Sequence, residues 1–178
     1  MNQNNNSIAI WFTGLSASGK STLSESLYKK LVKENINNLI LLDGEFVRDK
    51  LKYYNYDTNN RNEVGIQKAR LALDYINKKN HVIITGIAHH KETRKIIREM
   101  FPYFYEIYLK CDVNICAERD FKGNYKKAFE GKYGNFVGVT EPYEESNPEL
   151  TIETDKTSIK QSEKLIFSKV TKFINQIK

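Results

Sequence analysis

A glycine-rich stretch near the start of the chain, GLSASGKST, constrains its fold more than any other part of the sequence. Gly14, Gly19, Lys20 and Ser21 stand at the spacing Gly-x-x-x-x-Gly-Lys-Ser. In loops of this kind the backbone N–H groups surround phosphate groups, the lysine reaches the outer phosphates and the hydroxyl binds Mg²⁺. Four fixed residues in eight positions also arise by chance in loops, so the flanking sequence decides between a phosphate loop and an ordinary one.

The sequence on either side of this loop favours a phosphate site. The apolar run Ile8–Phe12 before it is typical of a buried strand, and Leu23, Leu27 and Leu31 after it recur at helical spacing. Strand, glycine loop and helix N-terminus follow one another in the order that anion binding at a helix N-terminus requires. We therefore predict a nucleotide-binding loop over Gly14–Thr22.

Apolar runs and helix-like segments continue to alternate along the chain. Strands are predicted at Ile8–Thr13, Leu39–Leu42, Val82–Thr85, Tyr105–Leu109 and Leu150–Thr154. Helices are predicted from Gly19 and over Arg61–Lys79, Lys91–Met100, Val113–Arg119 and Ile159–Ile177. This alternation predicts an α/β fold, with a parallel sheet that helices cover on both faces.

The length of 178 residues fits a single domain. We expect a disordered, Asn-rich tail over residues 1–6 and one domain over residues 7–178. No apolar run approaches the roughly 20 residues that a membrane-spanning helix needs, and the tail lacks the regions of a signal peptide. These features predict a cytoplasmic protein that does not bind membranes.

The net charge of +6 raises the question of a nucleic-acid partner. The lysines are scattered in short groups such as Lys29-Lys30, Lys78-Lys79 and Lys126-Lys127, whereas nucleic-acid binding needs a continuous basic surface. We therefore expect no nucleic-acid partner, and a positive cleft that attracts small phosphate-rich ligands. Cys111 and Cys116 lack Cys or His partners at zinc-ligand spacing, which predicts reduced, partly buried thiols.

Residues 120–147 lack the alternation of the rest of the chain. This 120–147 segment combines four glycines with aromatic side chains and with Lys122, Lys126 and Lys127. A loop of this length is uncommon in a compact domain unless it is functional or disordered. We expect a mobile lid that closes over charged, planar ligands; an ordered surface excursion is the alternative.

Four motifs together resemble the adenylyl-sulfate kinase family, in order and spacing, over roughly residues 8–150. They are GLSASGKST, LLDGEFVR after the second predicted strand, ERDFKGNYKKA after the fourth and NFVGVTEPYEESNPEL beyond it. The first is common to many families, whereas the last two are far more specific. The resemblance implies a P-loop kinase with a five-stranded parallel sheet flanked by helices and a mobile lid. It also implies transfer of the γ-phosphoryl group of ATP, with Mg²⁺, to the 3′-hydroxyl of a nucleotide whose 5′-phosphate is modified. Homodimers are common in this family, so a homodimer is one expected assembly.

The resemblance implies roles for individual residues as well. Lys20 and Asp43 are the expected catalytic residues, with Asp43 orienting the acceptor hydroxyl or a metal-bound water; a helix N-cap is the alternative role for Asp43. Ser21 is the expected Mg²⁺ ligand, and Asp43 would reach the metal through water. The expected ATP-binding residues are Gly14, Leu15, Ser16, Ala17, Ser18, Gly19, Lys20, Ser21, Thr22 and Arg119. The expected acceptor-binding residues are Arg48, Tyr56, Arg61, Lys122, Lys126 and Phe136, with Tyr56 and Phe136 stacking on the base.

Two segments on the acceptor side depart from the family pattern. Where the family has Asp-Arg-x-Glu-Asn-Ile-Arg-Arg, the chain keeps Arg61 but reads Val64-Gly65-Ile66-Gln67 at the end of the motif. Where the family has Ser-Pro-Tyr-Arg, the chain reads Ala88-His89-His90-Lys91 and keeps only Arg94. Because each buried polar partner left unpaired costs roughly 1–3 kcal/mol, a changed acceptor is the economical explanation.

The acceptor that we prefer on this ground is cytidine diphosphoramidate, the substrate of a family branch in capsule biosynthesis. His89 and His90 could hydrogen-bond its amide end, and two exposed loop histidines without any ligand are the alternative. Adenylyl sulfate, the acceptor of sulfate assimilation, is the second candidate, because residues of the lid could compensate for the changes. A nucleotide-binding regulator without turnover is a candidate of another class. Such a regulator would tolerate the loss of Asp43, which is present in this chain.

Overall fold

The computed structural model describes residues 6–44, residue 47 and residues 58–177, without the side chains of residues 58–61. The strands in these ranges are β1 (Ala9–Gly14), β2 (Leu39–Leu42), β3 (His81–Thr85), β4 (Phe104–Lys110) and β5 (Leu150–Glu153). The helices are α1 (Lys20–Lys33), α2 (Thr58–Asn77), α3 (Lys91–Glu99), α4 (Val113–Glu118), α5 (Asn124–Phe129) and α6 (Ile159–Ile177). All five predicted strands are confirmed, because each apolar run was bounded by polar residues.

The five strands form one parallel sheet in the order β2-β3-β1-β4-β5. Strand β1 lies at its centre, where Ala9 is paired with Val82 of β3 on one side and with Phe104 of β4 on the other. Because the strands are parallel, their carboxyl ends meet at one edge, which is where open α/β sheets bind ligands. The predicted phosphate loop follows β1 at this edge.

Alternate residues of β1 enter two separate cores, one on each face of the sheet. Ile10 and Phe12 pack among apolar residues of α1 and α6, such as Leu27 and Val170. Trp11 packs on the opposite face among residues of α2 and α3. Both faces of the sheet are therefore covered, as the predicted α/β fold requires.

The 120–147 segment is partly helical, which corrects the expectation of a loop without secondary structure. Helix α5 lies within it, and Val137 and Glu141 form a bridge. Sequence periodicity missed this helix because it has fewer than two full turns and carries exposed lysines. Two buried residues of the 120–147 segment, Tyr125 and Val137, pack with Leu15 and Cys116 in a third, smaller core at the carboxyl edge of the sheet.

Cys111 and Cys116 are both buried and not bridged to each other. The two thiols are therefore more completely buried than the sequence suggested. Burial raises the pKa of the Cys116 thiol to about 12, and its hydrogen bond with Cys111 adds to the rise. Because the thiolate is the reactive form, this cysteine is not a nucleophile at neutral pH. None of the helices in the described ranges is long and apolar enough to cross a membrane.

Candidate active site

The phosphate loop runs from the end of β1 to the start of α1 through backbone conformations that favour glycine. Gly14 has φ of +137°, and a Cβ atom built on it would lie 2.4 Å from the carbonyl oxygen of Leu109. Gly19 has φ of +98° directly before the first helical residue. A side chain would therefore be strained at both fixed glycines of the motif, and Ala17 between them also has a positive φ, of +56°. The first turn of α1 contains no acidic residue, so the helix N-terminus is suited to an anion.

Lys20 folds back over this loop. Its Nζ donates to the carbonyl oxygens of Gly14 at 3.0 Å and Leu15 at 2.5 Å. Burial lowers the pKa of Lys20 to about 8, and the fields of Cys116 and Asp43 offset part of that fall. The ammonium group is thus held at the loop by weak neutral acceptors, which the charged oxygens of a phosphate would outcompete.

Asp43 follows β2 directly, and three donors meet at one of its carboxylate oxygens. Oδ1 accepts hydrogen bonds from the Gly44 N–H at 2.5 Å, from Thr85 Oγ1 at 2.7 Å and from Ser21 Oγ at 3.4 Å. Among the residues that the structure describes, none donates to Oδ2. The described contacts therefore orient the carboxylate through Oδ1.

The alternative role of Asp43 as a helix N-cap is supported by its carbonyl oxygen, which accepts from the Val47 N–H at 3.2 Å. An N-cap side chain accepts from the second or third helical N–H, whereas Asp43 accepts from the next residue, Gly44. Residues 45 and 46 lie outside the described ranges. The bonds from Ser21 and Thr85, which come from other elements of the fold, are not part of a cap.

Ser21 and Asp43 fit a magnesium ion by the chemistry of their donors. The Ser21 hydroxyl oxygen lies 3.4 Å from Asp43 Oδ1, so two hard oxygen donors meet at the mouth of the phosphate loop. Mg²⁺ is commonly held by one or two such groups together with substrate phosphates and water. Within the described ranges, no cluster of three or more His, Cys, Asp or Glu residues could hold a metal by itself.

The 120–147 segment reaches the phosphate loop through aromatic side chains. The Tyr125 hydroxyl donates to the Ser16 carbonyl oxygen at 3.1 Å. Phe136 packs edge-on against Tyr125, with ring centroids 4.8 Å apart, and is stacked with Tyr133 at 5.8 Å. Phe136 is only partly buried.

Arg119 is connected to the same loop through Thr154. Its Nη2 donates to the Thr154 carbonyl oxygen at 2.9 Å, and Thr154 Oγ1 donates to the Ser18 carbonyl oxygen at 3.1 Å. Lys122 and Lys126 are exposed on the 120–147 segment. Arg48 and Tyr56 lie outside the described residues, and only the backbone of Arg61 is described, within α2.

The two histidines after β3 differ from the exposed pair that the sequence suggested. His89 is 1% exposed, and its Nε2 lies 3.1 Å from Glu141 Oε2. His90 is only partly buried, its ring is tilted by 38° against that of His89 at a centroid distance of 4.0 Å, and its Nδ1 lies 3.1 Å from Glu144 Oε1. The alternative of two exposed loop histidines is therefore wrong for His89, whose ring lies beside Glu141 of the 120–147 segment.

Arg94 forms internal contacts instead of facing the phosphate loop. It is buried, its Nε lies 3.1 Å from Glu106 Oε1, and its guanidinium stacks on the Tyr143 ring at 4.8 Å. Tyr143 in turn hydrogen-bonds Thr13 of β1 at 2.8 Å. This network fixes the end of the 120–147 segment to the sheet. Sequence reasoning missed Glu106, although a lone charged residue in the middle of an apolar strand was a signal for it.

Comparisons with known proteins agree with this geometry. The family model described as adenylylsulphate kinase matches residues 6–153. A probable adenylyl-sulfate kinase of Bacillus subtilis is 37% identical over 91% of this chain and 83% of its own length. A cytidine diphosphoramidate kinase of Campylobacter jejuni is 35% identical over 93% of this chain and 98% of its own length. Most of the similar curated proteins are named adenylyl-sulfate kinase.

A solved structure has the same fold. The Mycobacterium tuberculosis APS kinase CysC, in complex with AMPPNP and APS, aligns with a TM-score of 0.86 and 27% identity. The alignment covers 93% of this chain and 98% of that one. The five-stranded parallel sheet, the phosphate loop and the helices on both faces are thus shared with a nucleotide kinase.

Proposed function

Because the chain belongs to the adenylylsulphate kinase family and is therefore an ATP-dependent 3′-phosphotransferase, we propose that its acceptor is adenylyl sulfate. The observation that carries phosphoryl transfer to a hydroxyl is the position of Asp43 at the mouth of the phosphate loop, 3.4 Å from Ser21; the choice of acceptor rests on the names of the similar proteins. An acceptor hydroxyl and the γ-phosphate of ATP can meet there. In the reaction, the bond between the γ-phosphorus and the bridging oxygen of ADP breaks. A bond from the γ-phosphorus to the acceptor 3′-oxygen forms, ADP leaves with the bridging oxygen, and the hydroxyl proton passes to solvent.

Lys20 is the proposed partner of the transferring phosphoryl group. Phosphoryl transfer depends on positioning and on neutralisation of charge more than on covalent chemistry. In the proposed complex the Lys20 ammonium moves its hydrogen bonds from the Gly14 and Leu15 carbonyl oxygens to phosphate oxygens. Because an opposite charge favours the protonated form, ATP binding raises the lowered pKa of Lys20.

Asp43 is proposed to orient the acceptor. Its Oδ1 is held by Thr85 and Gly44, which fixes the direction of Oδ2. The acceptor 3′-hydroxyl donates to Oδ2 and is thereby aligned with the γ-phosphorus. A Mg²⁺ ion held by Ser21, and through water by Asp43, would supply further neutralisation of phosphate charge.

The nucleotide bases are proposed to rest on side chains of the 120–147 segment and its surroundings. Phe136 would stack on one side of the acceptor base, with Tyr56 expected on the other side, and stacking of this kind is worth roughly 1–3 kcal/mol per base. Arg119, Lys122 and Lys126 would contact the phosphates of ATP and of the acceptor. A homodimer, common in the family, is part of the same proposal.

Adenylyl sulfate replaces cytidine diphosphoramidate as the preferred acceptor because of the relatives' names. Most similar curated proteins are named for adenylyl sulfate, and the Mycobacterium tuberculosis complex contains APS. One feature keeps cytidine diphosphoramidate as the second candidate. The turn over Ala88–Lys91 departs from the family pattern, and in the structure it is bonded to Glu144 of the 120–147 segment.

The test is release of ADP from ATP, measured separately with adenylyl sulfate, with cytidine diphosphoramidate and without any acceptor. The proposal predicts acceptor-dependent release, with the larger kcat/KM for adenylyl sulfate. A larger kcat/KM for cytidine diphosphoramidate would select the second candidate. Release that does not depend on either acceptor would contradict both.

A further inference from the structure

A buried lysine on α2 points at the edge of the sheet that carries Asp43. Lys68 is only 5% exposed, although lysine is almost never fully buried in folded proteins unless it is paired. Its Nζ donates to the carbonyl oxygen of Thr85 at 3.0 Å. Taking an ammonium group out of water is costly. The residue next to Lys68 on the same helix, Ala69, belongs to the apolar core.

The contacts of Lys68 lead to the candidate catalytic carboxylate in two steps. Lys68 holds the backbone of Thr85 at the end of β3, and the hydroxyl of Thr85 donates to Asp43 Oδ1 at 2.7 Å. The same hydroxyl accepts from the Gly44 N–H at 3.0 Å. The ends of β2 and β3 are therefore joined by a chain of hydrogen bonds that begins at Lys68.

The ammonium group of Lys68 also lies close to Gly44, the residue that follows Asp43. A Cβ atom built on Gly44 would lie 3.3 Å from Lys68 Nζ and 3.7 Å from Thr85 Oγ1. Lys68 is thus packed against the residue next to Asp43 as well as against Thr85. A shift of its side chain would alter the positions of Gly44 and Thr85, two of the three donors to Asp43 Oδ1.

We propose that Lys68 is a positioning residue that fixes the orientation of the Asp43 carboxylate through Thr85, a role that rests on the proposed function. Lys68 does not touch substrate in this proposal. It holds the Thr85 backbone so that the threonine hydroxyl meets Oδ1 and Oδ2 points towards the acceptor. Small displacements of a reacting group are enough to lower turnover by an order of magnitude or more.

The test is a double-mutant cycle between Lys68→Met and Thr85→Val. Valine keeps the carbonyl that Lys68 contacts but lacks the hydroxyl that contacts Asp43. We expect Lys68→Met to lower kcat by about 10-fold in the wild-type background and by less than about 2-fold in the Thr85→Val background, since coupled residues are not additive. We expect its effect on Tm to be the same in both backgrounds. Arg70→Met removes a charge from an exposed position on the same helix and is the matched control, with unchanged kcat.

A merely structural role predicts that kcat falls by the same factor in both backgrounds, and that result would overturn the proposal. Lys68→Gln repeats the cycle if Lys68→Met does not fold. The ¹³C chemical shift of the Asp43 carboxyl carbon gives a readout that needs no substrate. It should move in Lys68→Met but not when the same change is made in Thr85→Val. Wild-type protein without acceptor-dependent ADP release contradicts the proposed function, while this chemical shift still decides the role of Lys68.

Discussion

Thr85 Oγ1 donates to Asp43 Oδ1 at 2.7 Å, and this contact joins the ends of two neighbouring strands at the mouth of the phosphate loop. The bond orients a carboxylate whose Oδ1 also accepts from the Gly44 N–H and from the Ser21 hydroxyl. It leaves Oδ2 without a donor among the described residues. The arrangement matches a group that must face an acceptor hydroxyl in a fixed direction.

Asp43→Asn tests this role with little change of shape. The amide oxygen can still accept from Thr85 and Gly44, but the negative charge is lost. We expect kcat to fall by roughly 10²–10³-fold, the size of effect typical of a group that acts on the transition state. ADP release at saturating ATP and acceptor measures it. Asp74→Asn, at an exposed position of α2, is the control, and a kcat for Asp43→Asn within about 2-fold of wild type would exclude a catalytic role.

Lys20 should take up a proton when ATP binds. Its pKa in the free protein is lowered to about 8 by burial, so about half of the molecules carry a neutral Lys20 at pH 8. Phosphate oxygens favour the ammonium form and raise this pKa. We therefore expect uptake of about half a proton per ATP at pH 8 and almost none from this group at pH 6.5.

Calorimetric titration in buffers of different ionisation enthalpy measures this uptake. Lys20→Met, studied at saturating ATP, should abolish the part that appears at pH 8. The same substitution should lower turnover by at least roughly 10²-fold, because it removes a donor to the transferring phosphoryl group. Equal proton uptake in wild type and Lys20→Met would show that another group titrates.

The outline of the fold was predictable from the sequence because it depends on local patterns. Buried strands such as β1 are continuous apolar runs, and α6 places Ile166, Val170 and Ile174 on one buried face. Helix α5 was not predictable in this way, since its short length gives no clear periodicity. Lys20 was identified by the spacing of the glycine loop, and Asp43 by a resemblance that spans most of the chain.

The supporting residues of the site were not predictable, because their contacts join distant parts of the sequence. Thr85 lies 42 positions from Asp43, and nothing in its own neighbourhood distinguishes it from other strand residues. Lys68 looks like any polar residue of an amphipathic helix until the sheet is assembled beside it. The burial of His89 likewise depends on Glu141, which approaches only after the 120–147 segment folds back.

Gly86→Ala should destabilise the fold through a steric contact with Trp11. A Cβ atom on Gly86 would lie 2.7 Å from Trp11 Cζ2, and Trp11 is fully buried. Overpacking of a core costs typically 1–3 kcal/mol, which corresponds to a fall in Tm of roughly 2–12 °C for a domain of this size. Trp11 is the only tryptophan of the chain, so its fluorescence reports both the unfolding and the local change. An unchanged Tm together with an unchanged emission maximum would contradict this packing.

Arg94→Met should be among the more destabilising single substitutions. Arg94 and Glu106 are 2% exposed and 3.1 Å apart, and removal of one partner from a buried ion pair costs about 3–5 kcal/mol. Chemical denaturation with urea measures the loss of unfolding free energy. Lys95→Met, which removes an exposed lysine from the same helix, should change the stability by no more than about 0.5 kcal/mol. Similar effects of the two substitutions would mean that the buried pair contributes nothing specific.

The most direct test of the proposed function follows the γ-phosphoryl group of ATP itself. The protein is incubated with Mg²⁺, adenylyl sulfate and ATP that carries ³²P in its γ-phosphate. We predict that the label appears in 3′-phosphoadenylyl sulfate and is released from it by a 3′-nucleotidase. Label that remains in ATP, or that appears only as inorganic phosphate, would contradict transfer to the 3′-hydroxyl of adenylyl sulfate.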